Sequence, residues 1–240
     1  SLDMAAVALS DVITVTNTSL APQPVALTLE LEADFADLFQ ARGWQERPTA
    51  RVSSAVERTE GGAALRLDHV ASDGLEQGVT VAFTPAPTRL SASAATYRLD
   101  LRPGESVELR VATTIRDPLE TAHEGLSYER WLESFPPLRD NGAHGAVLKR
   151  AALDLRALLL FSEQGPLPAA GIPWFVTAFG RDSILTALML VGRRPDVARG
   201  TLRYLAARQG RAYDAARSEA PGKILHEVRQ GELARTGKEP

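Results

Sequence analysis

Apolar and polar residues alternate along the first half of the chain, then change period near its middle. Across residues 24–32, Val25, Leu27, Leu29 and Leu31 fall on one side while Thr28, Glu30 and Glu32 fall on the other. A period of two marks a half-buried strand. The pattern returns at Val79, Val81 and Phe83, at Leu99 and Leu101, and at Val107, Leu109 and Val111. Asp11 to Thr16 reads as another strand, with no element ahead of it to pair with. Pro103-Gly104 lies between the last two runs and predicts the turn of a hairpin. Charged alternate positions need a solvated face, which antiparallel sheets allow, so this half is expected to form an antiparallel sandwich.

Beyond Pro118 the spacing becomes helical. Glu124 to Ser134 predicts a short helix carrying Tyr128, Trp131 and Leu132, ended by Pro136-Pro137. From Val147 to Phe161, Leu148, Ala151, Ala152, Leu155, Leu158 and Leu159 form an apolar stripe opposite Lys149, Arg150, Asp154 and Arg156. Ser183 to Val191 is apolar all round, which predicts a helix buried on every side. Asp196 to Arg208 is amphipathic again, with Pro195 suited to its start. Buried and exposed helices in alternation fit a two-layer helical array, and no short repeat accompanies them.

Composition narrows the possibilities. The 240 residues suffice for one large or two small domains, and 44% hydrophobic with 24% charged residues is an ordinary globular balance. Twenty-seven basic residues stand against 30 acidic ones, well interspersed, which argues against a nucleic-acid partner. With no cysteine there is no disulfide framework and no thiolate metal site, as suits a reducing compartment. Ser1 to Ser10 lacks the features of a signal peptide. The longest apolar run, Ile184 to Val191 broken by Thr186, is far shorter than the roughly 20 residues a bilayer span needs. A strand so near the start and a stop soon after a helical stretch lead us to read the chain as a fragment.

The segment richest in chemistry is Gly171-Ile-Pro-Trp-Phe-Val-Thr-Ala-Phe-Gly-Arg-Asp-Ser183, where Trp174, Phe175 and Phe179 lie beside Arg181 and Asp182. Two readings of it stand. Aromatic faces can cover the C–H surface of a sugar while Arg and Asp bind its hydroxyls. Equally, Asp182 ahead of an apolar helix has the form of an N-cap, with Arg181 a surface partner. His226-Glu227 is similarly open: part of a pocket, or a polar pair on a helix surface. It is no zinc motif, since Gln230 stands where H-E-x-x-H needs its second His. Asp34 and Asp37, flanked by Phe35, Leu38 and Phe39, read as one turn of helix or a tight loop with its apolar side inward. No phosphate-binding loop and no G-x-S-x-G elbow is present, and neither a cofactor nor a metal is expected.

The segment 171–183, together with Pro221-Gly-Lys-Ile-Leu-His-Glu-Val-Arg229, Gly231-Glu-Leu-Ala234 and Asp34-Phe-Ala-Asp-Leu-Phe-Gln-Ala-Arg-Gly43, resembles bacterial glycogen debranching enzymes of the amylo-α-1,6-glucosidase kind. The resemblance implies an α+β, two-part chain: an antiparallel β-sandwich followed by the first helices of an (α/α)6 toroid. On this basis residues 1–118 are the sandwich, truncated at its start. Residues 119–142 are a linker with a short helix, and 143–240 are the opening helices of the toroid. Related toroids such as glucoamylase hold the terminal glucose with the Arg and Asp of a Thr-Arg-Asp-Ser run. By that likeness Arg181 and Asp182 bind the glucose, although Gly180 here replaces the Thr. Trp174, Phe179, His226 and Glu227 complete the implied substrate-binding set. The resemblance implies inverting hydrolysis of α-1,6 branches, which needs two carboxyl groups roughly 6.5–9.5 Å apart. In the family those acids come from later helices, so no catalytic residue is assigned here and this chain alone is expected to be inactive. The implied partners are an α-glucan or oligosaccharide and the remainder of the toroid, with no nucleic acid and no membrane. The implied location is cytoplasmic. Another oligosaccharide such as trehalose or maltodextrin, or a non-catalytic carbohydrate-binding module, are the alternatives. An incomplete toroid would leave the apolar helix bare, so self-association is also expected.

Overall fold

A computed structural model describes residues 7–43, 51–59, 61–118, 127–135 and 144–238. The chain divides into two compact units, residues 1–120 and 121–240.

The first unit is almost entirely β. Its elements are β1 (Val7–Thr16), β2 (Gln23–Glu30), a single helical turn α1 (Leu38–Ala41), β3 (Arg51–Thr59), β4 (Gly62–Val70), β5 (Glu76–Thr84), β6 (Arg89–Leu90), β7 (Ala94–Leu101) and β8 (Ser106–Arg116). They form two antiparallel sheets, ordered β1-β8-β5-β4-β3 and β2-β7-β6. Leu65, Leu67, Val81, Phe83 and Val111 of the larger sheet meet Ala95 of the smaller one, with Leu29 and Leu90 packed alongside. The two inner faces therefore share one core, the defining feature of a sandwich. The period-two reading follows from this, since the residues between them face outward. On that outer face of β4, Asp68 accepts hydrogen bonds from Arg116 at 2.9 Å and Arg66 at 3.1 Å. Partial burial raises the Asp68 pKa, but the hydrogen bonds and charges of Arg116 and Arg66 together outweigh it and hold the carboxyl below its usual value.

Two expectations for this unit change, and the reading of Asp34 to Phe39 as one helical turn with its apolar side inward is met. The strand at Asp11 to Thr16 does have a partner, but a distant one: β1 pairs with β8 along its whole length, Val7 opposite Ile115 and Thr16 opposite Ser106. Pro103-Gly104 does turn the chain, with Glu105 N–H bonded to Arg102 O at 3.0 Å. It does not close a hairpin, because β7 and β8 belong to different sheets. Asn17 stitches this crossing from β1, its Nδ2 donating to Leu101 O at 2.9 Å. Asp37 is the N-cap of α1, its carboxylate accepting from Phe39 and Gln40 N–H while Gln40 reaches back to the Asp37 N–H. Phe39 packs inward from that turn.

The second unit is helical with one hairpin: α2 (Tyr128–Glu133), α3 (Gly145–Ala157), β9 (Leu159–Ser162), β10 (Gly165–Pro168), α4 (Gly180–Leu190), α5 (Pro195–Ala207) and α6 (Glu232–Arg235). The helix expected from Val147 to Phe161 stops at Ala157, and Leu158 is its C-cap. The chain then pairs Leu159 with Pro168 and Leu160 with Leu167, so the last four expected helical residues form a strand or its approach. A tertiary contact explains the change. The hairpin lies so close to α5 that a Cβ on Gly200 would stand 2.2 Å from Pro166 O. Around this contact, Leu167, Ala178, Tyr204 and Leu205 form one apolar cluster, and Trp131, Leu159 and Val197 a second. In the second cluster the buried Arg194 lies over the Trp131 ring at 3.8 Å and pairs with Asp196 at 2.6 Å. Hydrogen bonds from Arg194 lower the Asp196 pKa against the opposing effect of burial. The short helix predicted from Glu124 is present as α2, and both Glu124 and Pro136-Pro137 lie outside the described residues.

The helix expected to be buried on every side is not. On α4 only Gly180, Ser183 and Ala187 are buried. Those small residues recur at helical spacing: Gly180 lies against Leu225, and Ser183 meets β10, its Oγ donating to Pro168 O at 2.7 Å. The large apolar side chains point away: Leu185 is 50% exposed, Leu188 66% and Met189 83%. A bare patch of this kind drives association. Light scattering of the 240-residue chain is expected to show mass rising with concentration, and a monodisperse monomer throughout would contradict this. Among the described residues no helix is long and apolar enough to cross a membrane.

Candidate active-site wall

The start of α4 is built from two sequence-distant segments. In the first, residues 171–175 close on themselves, with Gly171 N–H bonded to Phe175 O at 3.0 Å and Phe175 N–H to Gly171 O at 2.9 Å. This tight loop holds Trp174 and Phe175 outward, 42% and 44% exposed. In the second, residues 226–228 run antiparallel to 177–180. Gly180 N–H donates to His226 O at 2.9 Å, Val228 N–H donates to Ala178 O at 3.1 Å, and Phe179 and Glu227 face each other as a bridge. The Thr177 hydroxyl adds a hydrogen bond to Val228 O. Glycine is required at position 180, because a Cβ there would meet Leu225 O at 2.2 Å.

The six residues expected to bind sugar all lie on these two segments, in different settings. Phe179 is buried at the junction, its ring edge-on to Phe175 at 5.8 Å and to His226 at 5.6 Å. Arg181 and Asp182 project into solvent, their side chains 82% and 42% exposed and their nearest charged atoms 3.9 Å apart. Asp182 is not the helix N-cap. Phe179, with extended backbone and no capping side chain, holds that place, and Asp182 sits in the first turn. A carboxylate there is favoured by the helix dipole but leaves its oxygens free to accept from outside. His226 and Glu227 lie on an extended loop rather than a helix surface, with His226 exposed and Glu227 half-buried. The arrangement thus sets two half-exposed aromatic rings, a guanidinium and a carboxylate around one helix start.

Arg229, which the sequence reading did not single out, joins the parts. Its Nε and Nη2 donate to Glu227 Oε2 at 2.7 and 2.6 Å, its Nη1 donates to Trp174 O at 3.3 Å, and its guanidinium lies 5.5 Å from the centre of the Phe179 ring. It therefore fixes the Trp174 loop to the His226 segment. Residues 227 and 229 share a side only if the segment is extended, and the sequence left its conformation open.

Residues 3–112 match the family model described as the N-terminal domain of (some) glycogen debranching enzymes. The first unit belongs to that family. The glycogen-debranching match thus falls on the sandwich, whose strands β1 to β7 and most of β8 it spans. No curated protein sequence matches the chain. The debranching-enzyme domain and the site at α4 lie in different units of the chain.

Proposed function

We propose that this chain belongs to a glycoside hydrolase that releases glucose from α-1,6 branch points of glycogen-like glucans by inverting hydrolysis. Its residues supply the wall that grips the sugar. In this reading residues 143–240 are opening helices of an (α/α)6 toroid, joined by 119–142 to the sandwich of residues 1–118. Arg181 and Asp182 hold hydroxyls of the glucose to be released, Trp174 covers a ring face, and His226 and Glu227 line the same wall. Phe179, being buried, acts from behind by supporting His226. Neither catalytic carboxyl role is given to a residue of this chain: Glu227 Oε2 already accepts two hydrogen bonds from Arg229. The protein acts in the cytoplasm and needs no cofactor.

One observation supports this reading most: two motifs some 45 residues apart converge on one helix start, joined by the bond from Gly180 N–H to His226 O at 2.9 Å. The sandwich's membership of a debranching-enzyme domain family supports the substrate class. The site is open and its charges are well solvated, so binding is expected to be weak, with Kd on the order of 1 mM. An NMR titration with isomaltose should move the Trp174 indole signal. Asp182→Ala should weaken binding about tenfold, through loss of a charge-assisted hydrogen bond. No shift on the unsubstituted protein, or equal shifts on both, would refute the binding role.

A further inference from the structure

β3 is an edge strand of the larger sheet, paired with β4 on one side. Among the described residues no strand pairs with its other side. Such an edge presents a row of backbone N–H and C=O groups that a further strand can bond. The opposite edge of the sheet is guarded. On β1, Asp11 lies opposite Val111, so an exposed carboxylate stands on the core-facing side of that strand. A charge in this position obstructs a strand added from outside. β3 has no equivalent over its centre: Val52 to Val56 is uncharged, lacks proline and is exposed throughout. Its valines face the inside of the sandwich without being covered by it. Val56 lies opposite the buried Leu65 and Val52 opposite the buried His69. Yet the buried residues of the core come from β4, β5, β7 and β8, and Val52 and Val56 are 45% and 44% exposed. A strand laid beside β3 would shelter both.

The sequence of β3 is complementary to itself. With two copies antiparallel and Ser54 opposite Ser54, Val52 falls opposite Val56 and Ser53 opposite Ala55. One step further out, position 51 falls opposite position 57, an arginine against a glutamate. Twofold symmetry repeats each pair, so this register brings together two valine pairs on the core side and two opposite charges at each end of the outer side. Moving the centre to Ser53 or to Ala55 loses both kinds of pair: about Ala55, for example, Val52 meets Arg58 and Glu57 meets Ser53.

We propose that β3 is a self-pairing edge, through which two copies of this chain join their five-stranded sheets into one continuous antiparallel sheet centred on Ser54. The chain has no cysteine, so a single introduced thiol reports the register. Ser53→Cys, Ser54→Cys and Ala55→Cys are made separately in the full 240-residue chain and oxidised under identical conditions. Directly opposite Cα atoms of an antiparallel pair are about 4.5–5.5 Å apart, within reach of a disulfide. Like residues one position off the centre are roughly 8 Å apart, too far to be bridged. Ser54→Cys is therefore expected to form the covalent dimer at least about tenfold faster than the other two. Association through the bare face of α4 would raise all three rates alike and leave their ratio unchanged. Glu57→Arg sets like charges together and should slow dimer formation by Ser54→Cys about fivefold to tenfold, and Arg51→Glu added to it should restore the rate. Unchanged amide spectra verify that each variant keeps its fold. Equal rates at the three positions, or a fastest rate at Ser53 or Ala55, would overturn the proposal. So would a Glu57→Arg protein that cross-links undiminished, or one that Arg51→Glu does not rescue.

Discussion

Replacing Trp131 by alanine is expected to destabilise the second unit by about 3–5 kcal/mol, the range for removing a large aromatic side chain from a core. Trp131 is only 1% exposed and packs with Leu159 and Val197, and its ring meets Phe135 edge-on at 5.0 Å. Its Nε1 donates to Ala152 O at 2.6 Å, which ties α2 to α3. The ring is also the floor beneath Arg194, whose guanidinium is 3.8 Å above it. Alanine would leave both a cavity and a buried cation bonded only along its edges, to Asp196 and to Ser134 Oγ at 2.8 Å. Urea unfolding followed by far-ultraviolet circular dichroism measures the loss. Trp131→Phe, which keeps a ring but no N–H, should lose less than half as much. A midpoint shift for Trp131→Ala equivalent to under about 1 kcal/mol would contradict this account of the cluster.

Gly180→Ala sets two opposing effects against each other. Alanine is the better helix former by about 1 kcal/mol, so a freely exposed position would gain stability. At this position the added Cβ would lie 2.2 Å from Leu225 O and 3.0 Å from the Ile224 Cγ2, and backbone is an unyielding neighbour. Overpacking of this kind costs about 1–3 kcal/mol, and separating the two segments also breaks the bond from Gly180 N–H to His226 O. The clash wins, so net destabilisation of about 1–3 kcal/mol is expected. The functional effect is larger: the His226-Glu227 loop moves away, and the isomaltose response of Trp174 should vanish. A Gly180→Ala protein as stable as the original, with unchanged His226 signals, would show that the two segments are not locked together.

Much of the sandwich could be read because alternation records which face a residue buries, and Val81, Phe83 and Leu109 indeed point inward. Alternation carries no information about the neighbouring strand. That is why β7 and β8 passed for a hairpin and β1 seemed unpartnered. In the second unit, apolar character misled where size decided. Leu188 and Met189 marked α4 for burial, but Gly180, Ser183 and Ala187 make its close contacts, because only small residues let backbones approach. The end of α3 was hidden for a related reason: Leu159 fits the helical stripe, and its actual partner, Pro168, lies beyond a turn. At the site, the motifs identified the residues but not their environment. Nothing local to Asp182 reveals that Phe179 caps the helix, because the helix start is joined to a distant segment by the bond from Gly180 N–H to His226 O.

The pairing of β1 with β8 also sets an order of assembly. β3, β4 and β5 are consecutive neighbours and can zip together as soon as each is made, but β1 must wait for residues 106–116. At about 5–20 residues per second, roughly 5–20 seconds of synthesis separate the first strand from its partner. Once residue 84 is made, and until β8 follows, β5 presents an open edge where β8 will later dock. Such edges recruit whatever strand is nearest, so the nascent sandwich is most vulnerable to mispairing just before its eighth strand leaves the ribosome.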